Sequence, residues 1–87
     1  MYNVILKKKA DKYLKLLDRK TQVKILEILD KLSVWDVKWL DLKPMEGFEN
    51  LWRIRLGKYR IIFEKYDNKL VIIVVKIWPR WDVYKDF

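Results

Sequence analysis

The stretch that decides the fold runs from Leu51 to Glu64 and reads LWRIRLGKYRIIFE. Apolar side chains alternate with arginines before Gly57, and a similar alternation resumes after Lys58, which is the period-two pattern of β-strands. Glycine at the first central position of a two-residue loop favours a type II′ turn. The stretch therefore predicts a β-hairpin whose tip is Gly57-Lys58.

The short turn also determines which residues of the hairpin face each other. Counting outward places Arg55 opposite Arg60, with Arg53 two residues along on the same face. The other face is apolar and carries Trp52, Ile54, Leu56, Tyr59, Ile61 and Phe63. Like charges directly opposite each other destabilise a strand pair, so we expect an anion to bind the three arginines. The alternative is that the arginines are solvated and pair with Glu64, Glu49 or the C-terminal carboxylate.

The rest of the chain predicts two further strands and two helices. Residues 70–77 read LVIIVVKI, apolar on both faces, which indicates a central strand that Pro79 ends. Residues 2–6 form a short leading strand. Two helical stripes follow, and a break at Asp18-Arg19 separates them. The stripes consist of Ala10, Tyr13, Leu14 and Leu17, and of Thr21, Ile25, Ile28, Leu29 and Leu32. Residues 34–50 look irregular, and Trp35 and Trp39 are expected to be buried at the edge of the core.

The order β-α-α-β-β-β predicts one α+β domain over residues 1–87. Its two-helix hairpin packs on one face of a mainly antiparallel four-stranded sheet. The other face of the sheet, which carries the arginines, is then free to bind a partner.

Composition excludes several classes of site. The chain has no cysteine and no histidine, which rules out thiolate zinc sites and a Ser-His-Asp triad. No apolar run reaches the roughly 20 residues needed to cross a bilayer, and the apolar N-terminus precedes its lysines, the reverse of a signal peptide. We therefore expect a soluble cytoplasmic protein without a membrane partner. The net charge of +8, from 20 basic and 12 acidic residues, implies a polyanionic partner.

Further candidates for RNA binding flank the hairpin and follow the last strand. Lys43 and Lys58 add positive charge near the arginines, and Trp81 and Tyr84 offer rings on which a base can stack. Arg80 adds a guanidinium beside them. Alternatively, Trp81 and Tyr84 dock on the sheet as a C-terminal plug.

The stretch from Leu42 to Glu64, LKPMEGFENLWRIRLGKYRIIFE, resembles the central signature of the RelE/ParE toxin superfamily. That signature has a leucine-rich approach, a glycine, an aromatic residue with alternating basic residues, and then glycine, any residue, tyrosine and arginine. The closing residues from Arg80 to Tyr84, RWDVY, are similar to the arginine and tyrosine that end many RelE-type members. The element order agrees as well, so the resemblance covers nearly the whole chain.

The resemblance implies a toxin of a type II toxin–antitoxin system that acts as a ribosome-dependent mRNA endoribonuclease. RelE-like members enter the A site of the 30S ribosomal subunit and cut the mRNA there, which inhibits translation. The ribose 2′-OH attacks the neighbouring phosphate and leaves a 2′,3′-cyclic phosphate, with no metal and no cofactor. The implied protein partner is a RelB-like antitoxin.

Carried over by position, the resemblance assigns catalytic roles to five residues. Arg53 and Arg55 match basic positions that bind the scissile region, and Arg60 matches the arginine that stabilises the phosphorane. Tyr84 matches a tyrosine that contacts the mRNA, and Arg80 matches a C-terminal basic residue.

One departure from the family concerns the general base. Well-known RelE members have lysines where this chain has Arg53 and Arg55, and arginine does not give up its proton. Glu64 and Asp82 are candidate bases, although both have ordinary ion-pair explanations. Two other functions stay open: a ParE-like gyrase inhibitor with no catalysis of its own, and a decayed nucleic-acid-binding module.

Overall fold

The structure is a computed structural model that describes residues 1–79. Within that range the elements are β1 (Asn3–Leu6), α1 (Lys8–Leu16), α2 (Arg19–Ser33), β2 (Asp41–Pro44), β3 (Leu51–Leu56), β4 (Tyr59–Tyr66) and β5 (Val71–Pro79). The strands form one sheet in the order β1-β5-β4-β3-β2, in which β1 is parallel to β5 and all other neighbours are antiparallel. The prediction of an α+β fold with two helices on a mainly antiparallel sheet is confirmed.

The number of strands differs from the prediction of four. Residues 41–44 read DLKP and lack a clear apolar alternation, so the sequence pattern did not reveal them as a strand. They nevertheless pair with β3, with Leu42 opposite Ile54 and Pro44 opposite Trp52. Pro44 suits this position because β2 lies at the edge of the sheet.

The break between the helices is held by side chains that satisfy backbone groups. Asp18 caps α2, accepting hydrogen bonds from the Thr21 backbone N–H (3.2 Å) and hydroxyl (2.7 Å). The Gln22 amide donates to the carbonyls of Leu14 (3.0 Å) and Lys15 (3.2 Å) at the end of α1. These bonds satisfy groups that a helix end leaves without partners, and they join the two helices.

The core lies between the helices and one face of the sheet, as the two helical stripes predict. Its buried residues are Ala10, Leu14, Ile25, Ile28, Leu29, Leu32, Ile54, Ile61, Phe63, Ile72, Val74 and Ile77. Trp35 packs at the margin of this cluster, with ring centroids 5.7 Å from Trp52 and 6.3 Å from Phe63. The prediction that Trp39 is buried is wrong, because its side chain is 79% exposed. The loop after α2 presents only one of its two tryptophans to the core.

A β-bulge divides β5 into two parts, and the alternation of its side chains between the two faces of the sheet reverses at the bulge. Ile62 pairs with Lys76 and Phe63 pairs with Val74, so Val75 is an extra residue without a partner in β4. An extra residue reverses the alternation of the strand from that point on. Val74 therefore points into the core, whereas Lys76 lies on the opposite face of the sheet.

Candidate nucleic-acid interface

The hairpin has the predicted register. Arg55 is opposite Arg60, and Arg53 is opposite Ile62. Gly57 has a φ of +56°, while Lys58 is not among the described residues with positive φ. Positive φ at the first central residue alone is what a type II′ turn requires. The prediction of a hairpin with its three arginines on one face is confirmed.

The sheet face opposite the helices, here called the arginine face, is organised in rows of directly paired residues. One row crosses four strands and contains Asp41, Arg55, Arg60 and Trp78. The adjacent row contains Lys43, Arg53, Ile62 and Lys76. Neighbouring strands lie about 4.8 Å apart, so each row is a short, continuous strip. The two rows place five cations around a single carboxylate, that of Asp41.

Arg60 is the most unusual residue of the arginine face. Its side chain is only 7% exposed, and its Nε and Nη1 groups have no hydrogen-bond partner among residues 1–79. A guanidinium stays charged at any physiological pH, and buried donors without partners cost free energy. The paired residue Trp78 is also buried, and its indole Nε1 has no partner in the same range. Arg60 and Trp78 therefore present, from adjacent strands, donors that no residue of the described range uses.

The other two arginines differ from each other in their partners. Arg55 is about half exposed, and its Nε lies 3.7 Å from Oδ2 of Asp41. Arg55 is thus paired with an acidic residue, but with Asp41 and not with the predicted Glu64 or Glu49; the C-terminal carboxylate, the third predicted partner, lies outside the described residues. Arg53 is partly buried, and its Nε has no hydrogen-bond partner in the described part of the chain.

The remaining candidate residues fall into three groups. Lys43 is exposed and lies directly opposite Arg53, so the structure brings it onto the arginine face. Lys58 lies at the tip of the hairpin, and its Nζ is 5.5 Å from the ring centroid of Tyr59. Tyr59 occupies a strand position that faces the helices, so Lys58 contacts a residue of the opposite face of the sheet. Arg80, Trp81 and Tyr84 lie outside the described residues, as does the candidate base Asp82.

Glu64, the other candidate base, lies farther along the arginine face. It is opposite Leu51 and four residues from Arg60 on the same strand, which corresponds to about 13 Å along β4. The pKa of Tyr66 is raised, first by burial and then by the charge of Glu64 and a hydrogen bond with it. Glu64 is thus engaged with Tyr66 at the end of the face away from Arg60.

The sequence pattern missed Asp41, Lys76 and Trp78 as parts of this surface. Asp41 and Lys43 share a face because they are two residues apart in β2, but this spacing is informative only once residues 41–44 are recognised as a strand. The bulge at Val75 conceals Lys76 and Trp78, because a run that is apolar on both faces does not reveal a change of register. Residues 1–79 contain no helix that is long and apolar enough to span a membrane.

Comparisons with known proteins agree on one family. A family model described as the ParE toxin of the type II toxin–antitoxin system parDE matches residues 4–84. The RelE1 protein of Methanocaldococcus jannaschii is 29% identical over 87 residues, which cover 98% of this chain and 97% of that protein.

Solved structures give the same result. The archaeal RelE–RelB complex from Pyrococcus horikoshii OT3 contains a chain that is 32% identical, with a TM-score of 0.82 over 91% of this chain and 94% of that one. The intact RelBE toxin–antitoxin complex of E. coli contains a chain that is 17% identical, with a TM-score of 0.76 over 91% of this chain and 96% of that one. At 17% identity, that second likeness concerns the fold alone.

Proposed function

The chain belongs to the RelE/ParE superfamily of type II toxins, and from this premise we propose that it is a ribosome-dependent mRNA endoribonuclease. The observation that carries the proposal is the buried guanidinium of Arg60, whose Nε and Nη1 have no partner among the described residues. A phosphate supplies two acceptor oxygens in the geometry that a guanidinium fork recognises. The arginine face then holds the scissile phosphate of an mRNA in the ribosomal A site, within the cytoplasm.

In this proposal the arginines act by stabilising charge. When the 2′-OH attacks the adjacent phosphate, negative charge grows on the equatorial oxygens of the phosphorane. Donors that already point at this position need no reorganisation, and burial strengthens their effect because the local dielectric is low. Arg60 is the most buried of the three, so it contributes the largest share. Arg53 and Arg55 align the RNA strand for in-line attack, and Arg80 and Tyr84 keep the catalytic roles that the family resemblance assigns to them.

The proposed protein partner is a RelB-like antitoxin. The P. horikoshii relative was solved as a RelE–RelB complex. An acidic segment of such a partner would satisfy the same donors that a phosphate satisfies, and would exclude mRNA from the arginine face. Co-purification from the native host tests this: a small acidic protein is expected to accompany the chain, and toxicity is expected when the chain is expressed alone.

The test of the proposed activity uses purified ribosomes that carry an mRNA in the A site, with primer extension to map cuts. Wild-type protein is expected to cut the A-site codon, whereas an mRNA with a single 2′-deoxyribose at the cut position should stay intact because it lacks the nucleophile. Arg60→Ala should cut slowly even when the ribose is normal. Intact ribose mRNA in the presence of folded wild-type protein would contradict the proposal.

A second candidate function, a ParE-like gyrase inhibitor, is favoured by one observation: the family model that matches residues 4–84 is that of the ParE toxin. This function requires a basic surface but no chemistry. The two candidates are separated by measuring gyrase supercoiling and by testing Arg60→Ala and Tyr84→Phe for toxicity. Toxicity that persists in both variants, together with gyrase-linked DNA breaks, would favour the gyrase inhibitor.

A further inference from the structure

Asp41 lies in the row that also contains Arg55 and Arg60, directly paired with Arg55 and two strands from Arg60. Its strand, β2, is at the edge of the sheet, and the Asp41 side chain is half exposed, so an RNA strand can reach it. Oδ2 of Asp41 is 3.7 Å from Nε of Arg55. The Arg55 guanidinium therefore has a carboxylate near its Nε.

This arrangement lets Arg55 bind two groups at once. A guanidinium has five N–H donors in a planar fork, so Arg55, whose Nε lies 3.7 Å from Asp41, has further donors for a phosphate. A phosphate oxygen held by the Nη groups would then lie next to the Asp41 carboxylate, with the guanidinium bridging them. The ribose hydroxyl that attacks a phosphate is attached to the adjacent sugar, so it belongs at the same place.

We propose that Asp41 is the general base that removes the proton from the attacking 2′-OH. This inference rests on the proposed endoribonuclease function and supplies the group that the arginines do not. An ionised carboxylate has free acceptor positions, whereas arginine and protonated lysine have none. Glu64, the other carboxylate that the paired strands of residues 1–79 place on the arginine face, is about 13 Å along β4 from Arg60 and interacts with Tyr66.

Oδ of Asp41 accepts the proton of the 2′-OH, the 2′-oxygen forms a bond to phosphorus, and the bond from phosphorus to the 5′-oxygen breaks. The departing 5′-oxygen takes a proton from solvent water, and Asp41 later returns its proton to solvent. The products are a 2′,3′-cyclic phosphate and a 5′-hydroxyl, while Arg55 and Arg60 offset the charge on the phosphorane.

The experiment measures single-turnover cutting by ribosome-bound protein, which separates the chemical step from binding. Asp41→Asn keeps an oxygen that can accept from Arg55 but removes the basic carboxylate. General base catalysis typically contributes about 10²–10⁴ in rate, so a loss of that size is expected with ribosome affinity unchanged. Asp30→Asn, an exposed change on α2 on the helical side of the sheet, is the matched control and should cut like the wild type.

A second variant distinguishes a base from a residue that only positions Arg55. Asp41→Ala should be slow, and added formate should restore its rate in a saturable manner because a free carboxylate can replace the missing one. Formate should not restore Arg60→Ala. Cutting by Asp41→Asn within threefold of wild type, an equal loss of ribosome binding, or no response of Asp41→Ala to formate would each overturn the role of Asp41. Absence of cutting by the wild type would instead overturn the proposed function, and this inference with it.

Discussion

Replacing Arg60 by methionine is expected to stabilise the fold while it removes activity. Arg60 is 7% exposed and has two donors, Nε and Nη1, without partners among residues 1–79. Each buried, unsatisfied polar group costs about 1–3 kcal/mol, and an apolar side chain of similar volume at this position removes that cost. Methionine retains most of the side-chain volume and flexibility, so little packing is lost.

A net gain of about 1–3 kcal/mol in the free energy of unfolding corresponds to a rise in Tm of roughly 5–20 °C for a domain of this size. The rate of mRNA cutting should fall about 10²–10³-fold, which is the usual cost of removing one donor that stabilises the transition state. The expected signature is a change of opposite sign in stability and in activity.

Thermal unfolding followed by circular dichroism, together with the ribosome assay, measures both quantities. Arg55→Met is the matched control, because Arg55 is half exposed and its ion pair with Asp41 contributes at most about 1 kcal/mol. Its Tm should fall slightly or stay the same. If Arg60→Met lowers the Tm or leaves cutting intact, the reasoning that Arg60 is an anion-binding group whose buried donors have no partner among residues 1–79 is refuted.

The remaining predictions concern the fold. Trp35→Ala should lower the free energy of unfolding by about 3 kcal/mol because the ring packs on the core, whereas Trp39→Ala, at a side chain that is 79% exposed, should change it by less than about 0.5 kcal/mol in urea titrations. Gly57→Ala should cost about 1–2 kcal/mol in the same titrations, since nothing crowds the new methyl group but a φ of +56° strains any residue with a Cβ atom. Stability should decrease as pH falls below about 4. Hydrogen bonds with Thr21 lower the pKa of Asp18 in the folded state, and a hydrogen bond with Lys65 lowers that of Asp67. This contribution to stability is complete above the carboxylate pKa of the unfolded chain and is lost as the folded carboxylates are protonated. Urea titrations from pH 2 to 7 would contradict this last prediction if Asp18→Asn left the acid limb as steep as in the wild type.

Local patterns in the sequence were sufficient for the hairpin. Its register follows from a turn of two residues and a period of two, both of which are short-range properties of the chain. The helical stripes identified the core for the same reason, since a period near 3.6 selects one face of a helix wherever that helix packs. The family resemblance also depended on this local segment.

The sequence by itself determined the hairpin, the helix pair and the three arginines on one face. Only the tertiary structure decided which residues surround those arginines. Asp41 reaches Arg55 because β2 pairs with β3, and no local apolar pattern marks that strand. Lys76 and Trp78 lie on the arginine face because the bulge at Val75 reverses the alternation of β5. Strand pairing and bulges arise from long-range backbone hydrogen bonds, so a one-dimensional pattern of side chains does not specify them.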